Sequence, residues 1–165
     1  NYIPMKELIL VRHAKSSWEY DVKDADRPLG VRGITDAHLI ARALDKNLTD
    51  VQAIFSSPAN RALHTCMILM REMGLPLASV QVVPELYDFS GQGVSAHVHS
   101  LDDALEKVML FGHNNAMTHI ANKWGSKYLE NVPTCGVVHL SFPVNSWKEI
   151  SYGNTLNTVF PKNLR

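Results

Sequence analysis

The stretch that decides the fold is residues 7–16, ELILVRHAKS. Its first part, Glu7 to Val11, is a short and nearly continuous apolar run, a pattern typical of a strand buried on both faces. Such strands occur in parallel sheets that carry helices on both sides. Arg12 and His13 follow the run directly, so the predicted strand ends in two side chains that can take part in chemistry.

Outward from this strand, apolar runs and helical periodicities alternate along the chain. Short apolar runs predict further strands over 51–55, 80–83 and 108–111. Helical spacing predicts helices over 33–44, 60–73, 101–107 and 116–124, with a glycine-rich loop at 90–93. The tail alternates over 137–142, 147–152 and 156–160, which predicts edge strands or a hairpin. This order predicts an α/β fold, a three-layer α/β/α sandwich with a mostly parallel central sheet, in a single domain over residues 1–165.

The composition fits a folded chain and excludes some classes of function. Hydrophobic residues make up 45% of the 165 residues and charged residues 19%, which argues against disorder. The 16 Lys and Arg residues balance the 16 Asp and Glu residues, so the formal net charge is zero. A protein that coats nucleic acid or an anionic membrane needs a broad basic field, so neither is an expected partner.

The sequence also bears on the cellular compartment. Its apolar runs are far shorter than the roughly 18–20 residues that cross a bilayer. Residues 1–6 lack the apolar core of a secretory signal peptide. Cys66 and Cys135 lie far apart with apolar or small neighbours, which predicts buried free thiols. These features predict a cytoplasmic protein.

Charged and polar side chains follow three of the predicted strands. Arg12 and His13 follow the first strand, Ser57 and Arg61 the second, and His113 the fourth. Because ligands bind outside the carboxyl ends of the strands in an open parallel sheet, we expect these side chains to meet at one edge. Two guanidinium groups beside helix N-termini make a site for a tetrahedral oxyanion such as phosphate.

A histidine in such a site has a specific use. The ordinary imidazole pKa of about 6.5 leaves much of the side chain neutral at neutral pH, so it can attack phosphorus directly. The chain contains no G-x-x-x-x-G-K-[ST] sequence, which argues against a nucleotide-binding P-loop. It also contains no H-E-x-x-H and no Cys and His spacing that points to zinc, since the pair His97 and His99 lacks an evident third ligand, so no metal and no cofactor are expected.

Short motifs along the chain resemble those of one family. They are LVRHAKS at 10–16, RPLGVRG at 27–33, SSPANRALHT at 56–65, LY at 86–87, GHN at 112–114, PTCG at 133–136 and PK at 161–162. Together they resemble the histidine phosphatase (phosphoglycerate-mutase-like) superfamily, and most of all its short SixA-type phosphohistidine phosphatases. The resemblance covers essentially the whole chain, in order, and implies the phosphoglycerate-mutase-like fold.

The resemblance implies roles for individual residues. His13 is implied to be the nucleophile that becomes phosphohistidine, and Arg12, Arg61 and His113 to hold the phosphoryl oxygens through the transition state. Water then hydrolyses the phosphoenzyme, and no metal is required if the arginines neutralise the oxygens. Three further residues at loop positions are candidate phosphate-binding helpers: Ser16, Ser57 and Asn114.

The general acid is left open between two carboxylates, Glu85 and Asp88. Larger family members place a carboxylate after the third strand to protonate an alcohol leaving group. Glu85 lies directly after that predicted strand, whereas Asp88 lies nearer the family's position. Because imidazole leaves far more readily than an alkoxide, a weak acid position favours phosphohistidine over phosphate esters as the substrate.

The expected function is a metal-independent phosphatase that acts through a phosphohistidine intermediate, with phosphohistidine on a protein as the preferred substrate. One alternative keeps this chemistry and changes the substrate to a small phosphomonoester. The other is a phosphate- or phosphopeptide-binding module without catalysis, against which the complete set of arginines and histidines argues. The expected partner is therefore a phosphorylated protein or a small phosphorylated molecule, and the oligomeric state is not predicted.

Overall fold

Strands and helices alternate through most of the chain, as the sequence predicts. The computed structural model describes residues 3–45, 48 and 50–165, so the first two residues of the segment 1–6, which the sequence analysis compared with signal peptides, lie outside the described residues. Within these residues the strands are β1 (Lys6–Arg12), β2 (Ala53–Ser56), β3 (Val80–Val82), β4 (Lys107–Gly112), β5 (Val137–Phe142) and β6 (Asn154–Val159). The α-helices of the same residues are α1 (Val31–Asp45), α2 (Asn60–Glu72), α3 (Gln92–His99) and α4 (Ala116–Trp124).

The described strands form one six-stranded sheet in the order β3-β2-β4-β1-β5-β6. β1 pairs in parallel with β4, and β2 pairs in parallel with both β3 and β4. β5 pairs antiparallel with β1 and with β6, so β5 runs against the other described strands. The sheet is therefore mostly parallel, as predicted, and the carboxyl ends of β1, β2 and β4 lie at one edge.

Alternate residues of β1 face two separate cores. Leu8 and Leu10 are fully buried and belong to the core that includes side chains of α3 and α4. Ile9 and Val11 are also fully buried and belong to the core that includes side chains of α1 and α2. A strand covered on both faces has to be apolar throughout, which explains the continuous run. The predicted three-layer α/β/α sandwich is confirmed.

A helix that the sequence did not predict, α3, lies between β3 and β4. The segment 90–93 was expected to be a loop, but α3 starts within it, at Gln92. The cause is Asp88, whose carboxylate accepts hydrogen bonds from the backbone N–H groups of Gly91 and Val94 and so satisfies donors at the start of the helix. Gly91 has a φ of 105°, in the left-handed region that favours glycine, and it turns the chain into α3.

The predicted helix over 101–107 is wrong. In the structure this segment is made of bends and turns that lead into β4. The carbonyl of Leu105 accepts hydrogen bonds from Lys6 Nζ at 2.8 Å and from the Trp147 ring N–H at 2.9 Å, instead of from a following helical turn. These partners are distant in sequence, so helical spacing within the segment did not indicate them.

The predicted strand over 147–152 is also wrong. A short 3₁₀ helix, Trp147–Glu149, occupies the first part of this segment, and β6 begins only at Asn154. The Trp147 side chain is fully buried, and its backbone N–H donates to Asp103 at 2.9 Å in place of a strand neighbour. Burial of one large ring therefore outweighs the local alternating pattern.

The two cysteines match their prediction. Cys66 and Cys135 are both free and buried. Burial raises the pKa of each thiol to about 12, so both stay protonated. Separately, each helix of the described residues is too short or too polar to cross a membrane.

Candidate active site

The end of β1 is held by backbone hydrogen bonds on both sides. The His13 N–H donates to the Gly112 carbonyl at 3.0 Å, at the end of the parallel neighbour β4. On the other side the Arg12 N–H donates to the Gly136 carbonyl at 3.1 Å, and the Cys135 N–H donates to the His13 carbonyl at 2.9 Å. The sheet and the turn before β5 therefore fix the backbone from which both functional side chains project.

The contacts of His13 assign its tautomer. Nδ1 lies 2.7 Å from the Ala14 carbonyl oxygen, which can only accept, so Nδ1 carries the proton. The lone pair is then on Nε2. The ring is buried, and burial, together with the positive charges of Arg61 and Arg12, lowers the pKa of His13 to about 4 despite the Ala14 hydrogen bond. His13 is therefore neutral at neutral pH and can act as a nucleophile.

His113 follows β4, and its ring centroid lies 5.2 Å from that of His13. Its Nε2 is 2.8 Å from the Ser57 hydroxyl, which also accepts the Ala59 N–H at 3.1 Å. We assign the Ser57 hydroxyl as the hydrogen-bond donor to Nε2, so the ring proton of the neutral imidazole is on Nδ1. Burial, followed by the nearby His13 and Arg61, lowers the pKa of His113 to about 3. His113 is thus a neutral N–H donor beside the nucleophile.

Arg12 and Arg61 are anchored through their terminal nitrogens. Arg12 Nη1 donates to the Val132 carbonyl at 2.8 Å. Arg61, only 2% exposed, donates from Nη1 to the Asp24 carbonyl at 2.6 Å and from Nη2 to the Asp24 carboxylate at 2.9 Å. In both arginines Nε is buried, and it has no partner among the described residues.

Unpaired buried donors are concentrated at this edge of the sheet. Within residues 3–45, 48 and 50–165, the buried side-chain nitrogens and oxygens without a partner are Arg12 Nε, Arg61 Nε, His113 Nδ1 and His97 Nε2. The first three belong to the residues grouped around His13. Because buried donors are almost always paired, these three can bind an acceptor that enters the site. Two cationic donors and one neutral donor beside an imidazole lone pair fit the oxygens of a phosphoryl group.

The structure places the three predicted helper residues differently. Ser57 is in the site, on His113. Ser16 accepts a hydrogen bond from Arg27 Nη1 at 2.6 Å and so braces the loop after β1. The Asn114 side chain accepts the Thr118 N–H at 3.0 Å inside α4, and its amide donates to a neighbouring loop. In the described structure Ser16 and Asn114 therefore support neighbouring segments, and their phosphate contacts stay a prediction.

The two predicted acids do not fit proton donation equally. Burial alone would raise the pKa of Asp88, but hydrogen bonds from the backbone N–H groups of Val94, Ser90 and Gly91 outweigh it and lower the pKa. Asp88 is therefore an ionised carboxylate that accepts hydrogen bonds at the start of α3. Glu85 is exposed within the 3₁₀ helix Pro84–Leu86.

Three residues of the site were not predicted to act there. The rings of Tyr87 and Phe89 lie 5.2 and 5.1 Å from the His113 ring and form an aromatic wall beside it. The Tyr87 hydroxyl donates to the Asp24 carboxylate, and this bond, with those from Arg61 and Arg27, holds the pKa of Asp24 well below its usual range. Tyr87 lies in one of the quoted motifs, whereas nothing in the sequence distinguishes Asp24 from its acidic neighbours.

One glycine of the family motif has a clear structural reason. A Cβ added to Gly33, in the first turn of α1, would lie 2.1 Å from the Lys15 carbonyl oxygen. Only glycine therefore lets α1 approach the loop that follows His13 this closely. As for metals, no group of three or more His, Cys, Asp or Glu residues in the described part of the chain could hold an ion.

Comparison with known proteins adds to this geometry. A sequence model described as histidine phosphatase superfamily (branch 1) matches residues 8–95, a range that includes Arg12, His13 and Arg61. A chloroplastic protein of Arabidopsis thaliana, described as uncharacterized, is 30% identical over 154 residues, which span 87% of this chain and 70% of that protein.

Solved structures share the fold. The protein histidine phosphatase SixA, solved with tungstate, has a TM-score of 0.80 at 21% identity, over 96% of this chain and 99% of that one. A mycobacterial glucosyl-3-phosphoglycerate phosphatase has a TM-score of 0.62 at 16% identity, over 92% of this chain and 97% of that one. These two matches show the phosphoglycerate-mutase-like architecture.

Proposed function

The chain belongs to the histidine phosphatase superfamily and is a phosphatase, and on this basis we propose that its substrate is phosphohistidine on a protein. The phosphoryl group is hydrolysed through a covalent phospho-His13 intermediate, without a metal ion. The observation that carries the proposal is the set of three unpaired buried donors, on Arg12, Arg61 and His113, which are residues close to the His13 ring.

The proposed reaction has two displacements at phosphorus. The lone pair of His13 Nε2 attacks, an N–P bond forms, and the bond from phosphorus to the leaving group breaks. Water then attacks the phosphoenzyme, which releases inorganic phosphate and restores the lone pair on Nε2. In both steps the donors of Arg12, Arg61 and His113 stabilise the charge on the phosphoryl oxygens, which is the main requirement of phosphoryl transfer.

The state of the carboxylates supports a leaving group that needs no enzyme acid. Asp24 is paired with Arg61, Arg27 and Tyr87, and Asp88 is bound to backbone N–H groups, so neither is a proton donor at neutral pH. The second ring nitrogen of phosphohistidine can take a proton from solvent before the N–P bond breaks, so imidazole leaves as a neutral molecule. An alkoxide has no such route and needs an acid at the bridging oxygen.

Similarity to SixA supports the same substrate class, since that structure is of a protein histidine phosphatase. A small phosphomonoester is the second candidate. It is favoured by the shared fold of the glucosyl-3-phosphoglycerate phosphatase and by Glu85, an exposed carboxyl side chain shortly after β3.

The test is turnover by the purified chain, with EDTA present, of a histidine-phosphorylated protein and of a panel of phosphomonoesters. We expect phosphohistidine to be hydrolysed and the esters to react far more slowly. Faster turnover of an ester would select the second candidate. Loss of activity in EDTA would contradict the metal-free mechanism, and no turnover of any substrate would leave a binding module.

The covalent step has its own test. Brief mixing with ³²P-labelled substrate, followed by denaturation, should trap label on the protein. A phosphohistidine linkage is labile in acid and stable in base, whereas a phosphoserine linkage behaves in the opposite way. Label that survived acid would therefore contradict attack by a histidine.

A further inference from the structure

Asp24 joins several of the groups on the outer side of the site. Its carboxylate accepts hydrogen bonds from Arg61 Nη2 at 2.9 Å, from Arg27 Nε at 3.2 Å and from the Tyr87 hydroxyl. Its backbone carbonyl accepts a further bond from Arg61 Nη1 at 2.6 Å. One residue of the loop after β1 therefore connects that loop to α2 and to the aromatic wall on His113.

The contacts to Arg61 use one edge of its guanidinium and leave another free. A guanidinium can bind two acceptors side by side through its two terminal nitrogens, or through Nε and one terminal nitrogen. Asp24 occupies the terminal edge, while Nε is buried without a partner in the described structure. An oxyanion can therefore bind at the Nε edge while Asp24 stays in place.

The guanidinium of Arg12, next to His13 in the chain, is bound in a similar way. Its Nη1 donates to the Val132 carbonyl, and its buried Nε is likewise unpaired within the described residues. The two arginines thus each have one end held by a protein acceptor and one donor left for a ligand. The difference lies in the anchor, which is a neutral carbonyl for Arg12 and includes a carboxylate for Arg61.

We propose that Asp24 is the positioning residue of the phosphate site, holding the terminal nitrogens of Arg61 so that its Nε edge faces the phosphoryl group. The same carboxylate separates the like charges of Arg61 and Arg27 and keeps Tyr87 against His113. This inference rests on the proposed function, because it assigns Arg61 to phosphoryl binding. It predicts that Asp24 strengthens oxyanion binding, whereas a carboxylate that blocked the site would weaken it.

The first test is tungstate binding to the full chain by calorimetry, with Asp24→Asn compared to Asp26→Asn. The control removes the same charge from the same 3₁₀ helix, Asp24–Asp26. Because hydrogen bonds to charged groups are worth roughly 10- to 100-fold in an equilibrium constant, we expect Asp24→Asn to weaken tungstate binding and to lower kcat/KM by that factor. Asp26→Asn should stay within about twofold of the wild type.

The opposite outcomes are equally clear. Binding that is unchanged in Asp24→Asn would overturn the positioning role, and binding that becomes tighter would show that Asp24 competes with the oxyanion. The Asp24 side chain is about half exposed (47%), so its replacement leaves no cavity, but the loss of its bonds to Arg61, Arg27 and Tyr87 should lower the unfolding midpoint below that of Asp26→Asn. Tungstate binding is therefore measured at a temperature at which both variants are fully folded, and a fall in affinity there separates positioning from a loss of folding.

A second variant divides the contacts of Asp24. Tyr87→Phe removes the hydroxyl bond but keeps the ring on His113, and we expect a loss of only about threefold in tungstate affinity, because this bond is made to Asp24 and not to Arg61 or to the oxyanion. A loss as large as that of Asp24→Asn would contradict the assignment of the main effect to Arg61.

A measurement on the wild type does not depend on any variant folding. On addition of tungstate, the NMR signal of the Arg61 Nε–H should shift, while the carboxyl carbon of Asp24 should not. A shift of the Asp24 carboxyl carbon alone would overturn the proposal. If the wild type binds tungstate in this way but hydrolyses no phosphohistidine, the substrate assignment fails and the positioning role stands.

Discussion

The two sides of the phosphate site are built in different ways. On the strand side, Arg12 and His13 project from β1 and are held by backbone groups of β4 and of the segment before β5. On the loop side, Arg61 is held by Asp24, which lies on an exposed loop and is itself bound by Tyr87. One side therefore takes its geometry from the sheet, and the other from pairing between charged side chains.

The difference shows which part of such a site is robust. Backbone carbonyls carry no net charge and do not titrate, and the ladder of β1 fixes them in place. A carboxylate–guanidinium pair is stronger but depends on two side chains from separate segments. Changes to the strand side should therefore act on the reacting atom, and changes to the loop side on how the oxyanion is held.

The largest effect is expected on the strand side. His13→Ala removes the attacking nitrogen, so turnover should fall by about three orders of magnitude or more, and no ³²P-labelled intermediate should form. His119→Ala is the matched control, since that histidine is exposed on α4. Activity retained by His13→Ala would mean that another group is the nucleophile.

The two arginines provide a direct comparison of the two sides. Arg61→Ala and Arg12→Ala should each lower kcat/KM by roughly 100- to 1000-fold, the range for loss of one preorganised donor. Arg61→Ala also leaves the Asp24 carboxylate uncompensated near the phosphoryl oxygens, so adding Asp24→Ala should recover part of the loss. The same addition should give no recovery in Arg12→Ala. If Asp24→Ala changed kcat/KM by the same factor in Arg61→Ala and in Arg12→Ala, the distinction between the two sides would be wrong.

The two sides should also differ in how they change the pH dependence of the unfolding free energy. Burial lowers the pKa of His13 to about 4 in the folded state, below the ordinary histidine pKa of about 6.5 that applies in the unfolded chain. Between these two pH values the unfolded chain binds more protons than the folded chain, so the unfolding free energy falls as the pH falls. From pH 7 to pH 5, His13 should account for a loss of roughly 2 kcal/mol in the unfolding free energy of the wild type. His13→Gln lacks this group, so its unfolding free energy should fall by that much less over the same pH range. The pKa of Asp24 lies well below this window, so Asp24→Asn should keep the wild-type slope.

The smallest effect on activity is expected at the start of α3. Asp88→Ala removes hydrogen bonds to Gly91 and Val94 and should lower the unfolding free energy by about 1 kcal/mol. Phosphohistidine turnover should change by less than about twofold, because this carboxylate is not a proton donor. Glu85→Gln, which removes the other candidate general acid, is measured beside it. A large loss of turnover in Asp88→Ala would return Asp88 to the role of general acid.

The sequence predicted the strand side well because its signals are contiguous. The apolar run of β1 and the two residues after it lie in one segment, so strand, edge and side chains follow from a single pattern. Arg61 and His113 were predicted for the same reason, since each follows a buried strand. Ser57 was predicted on position alone, and so were Ser16 and Asn114, whose contacts turned out to be local supports.

The loop side could not be predicted in this way. Asp21, Asp24 and Asp26 lie close together in one polar stretch without periodicity, so nothing local selects Asp24. Its partner Arg61 is 37 residues away, and the bond exists only because the loop folds across α2. The wrong prediction of a helix over 101–107 has the same cause, since the Leu105 carbonyl in this segment binds side chains from other parts of the chain.

The sequence by itself determined the layered α/β fold and the residues that meet at the carboxyl edge of the sheet. Burial on both faces of β1 demands an apolar run, and the strand ends fix where Arg12, His13 and His113 emerge. The tertiary structure alone decided how these groups are tuned: the tautomer and lowered pKa of His13, the pairing of Arg61 with Asp24, and the binding of Asp88 to a helix end. Hydrogen bonds act over about 3 Å between segments, and no pattern within a single segment specifies them.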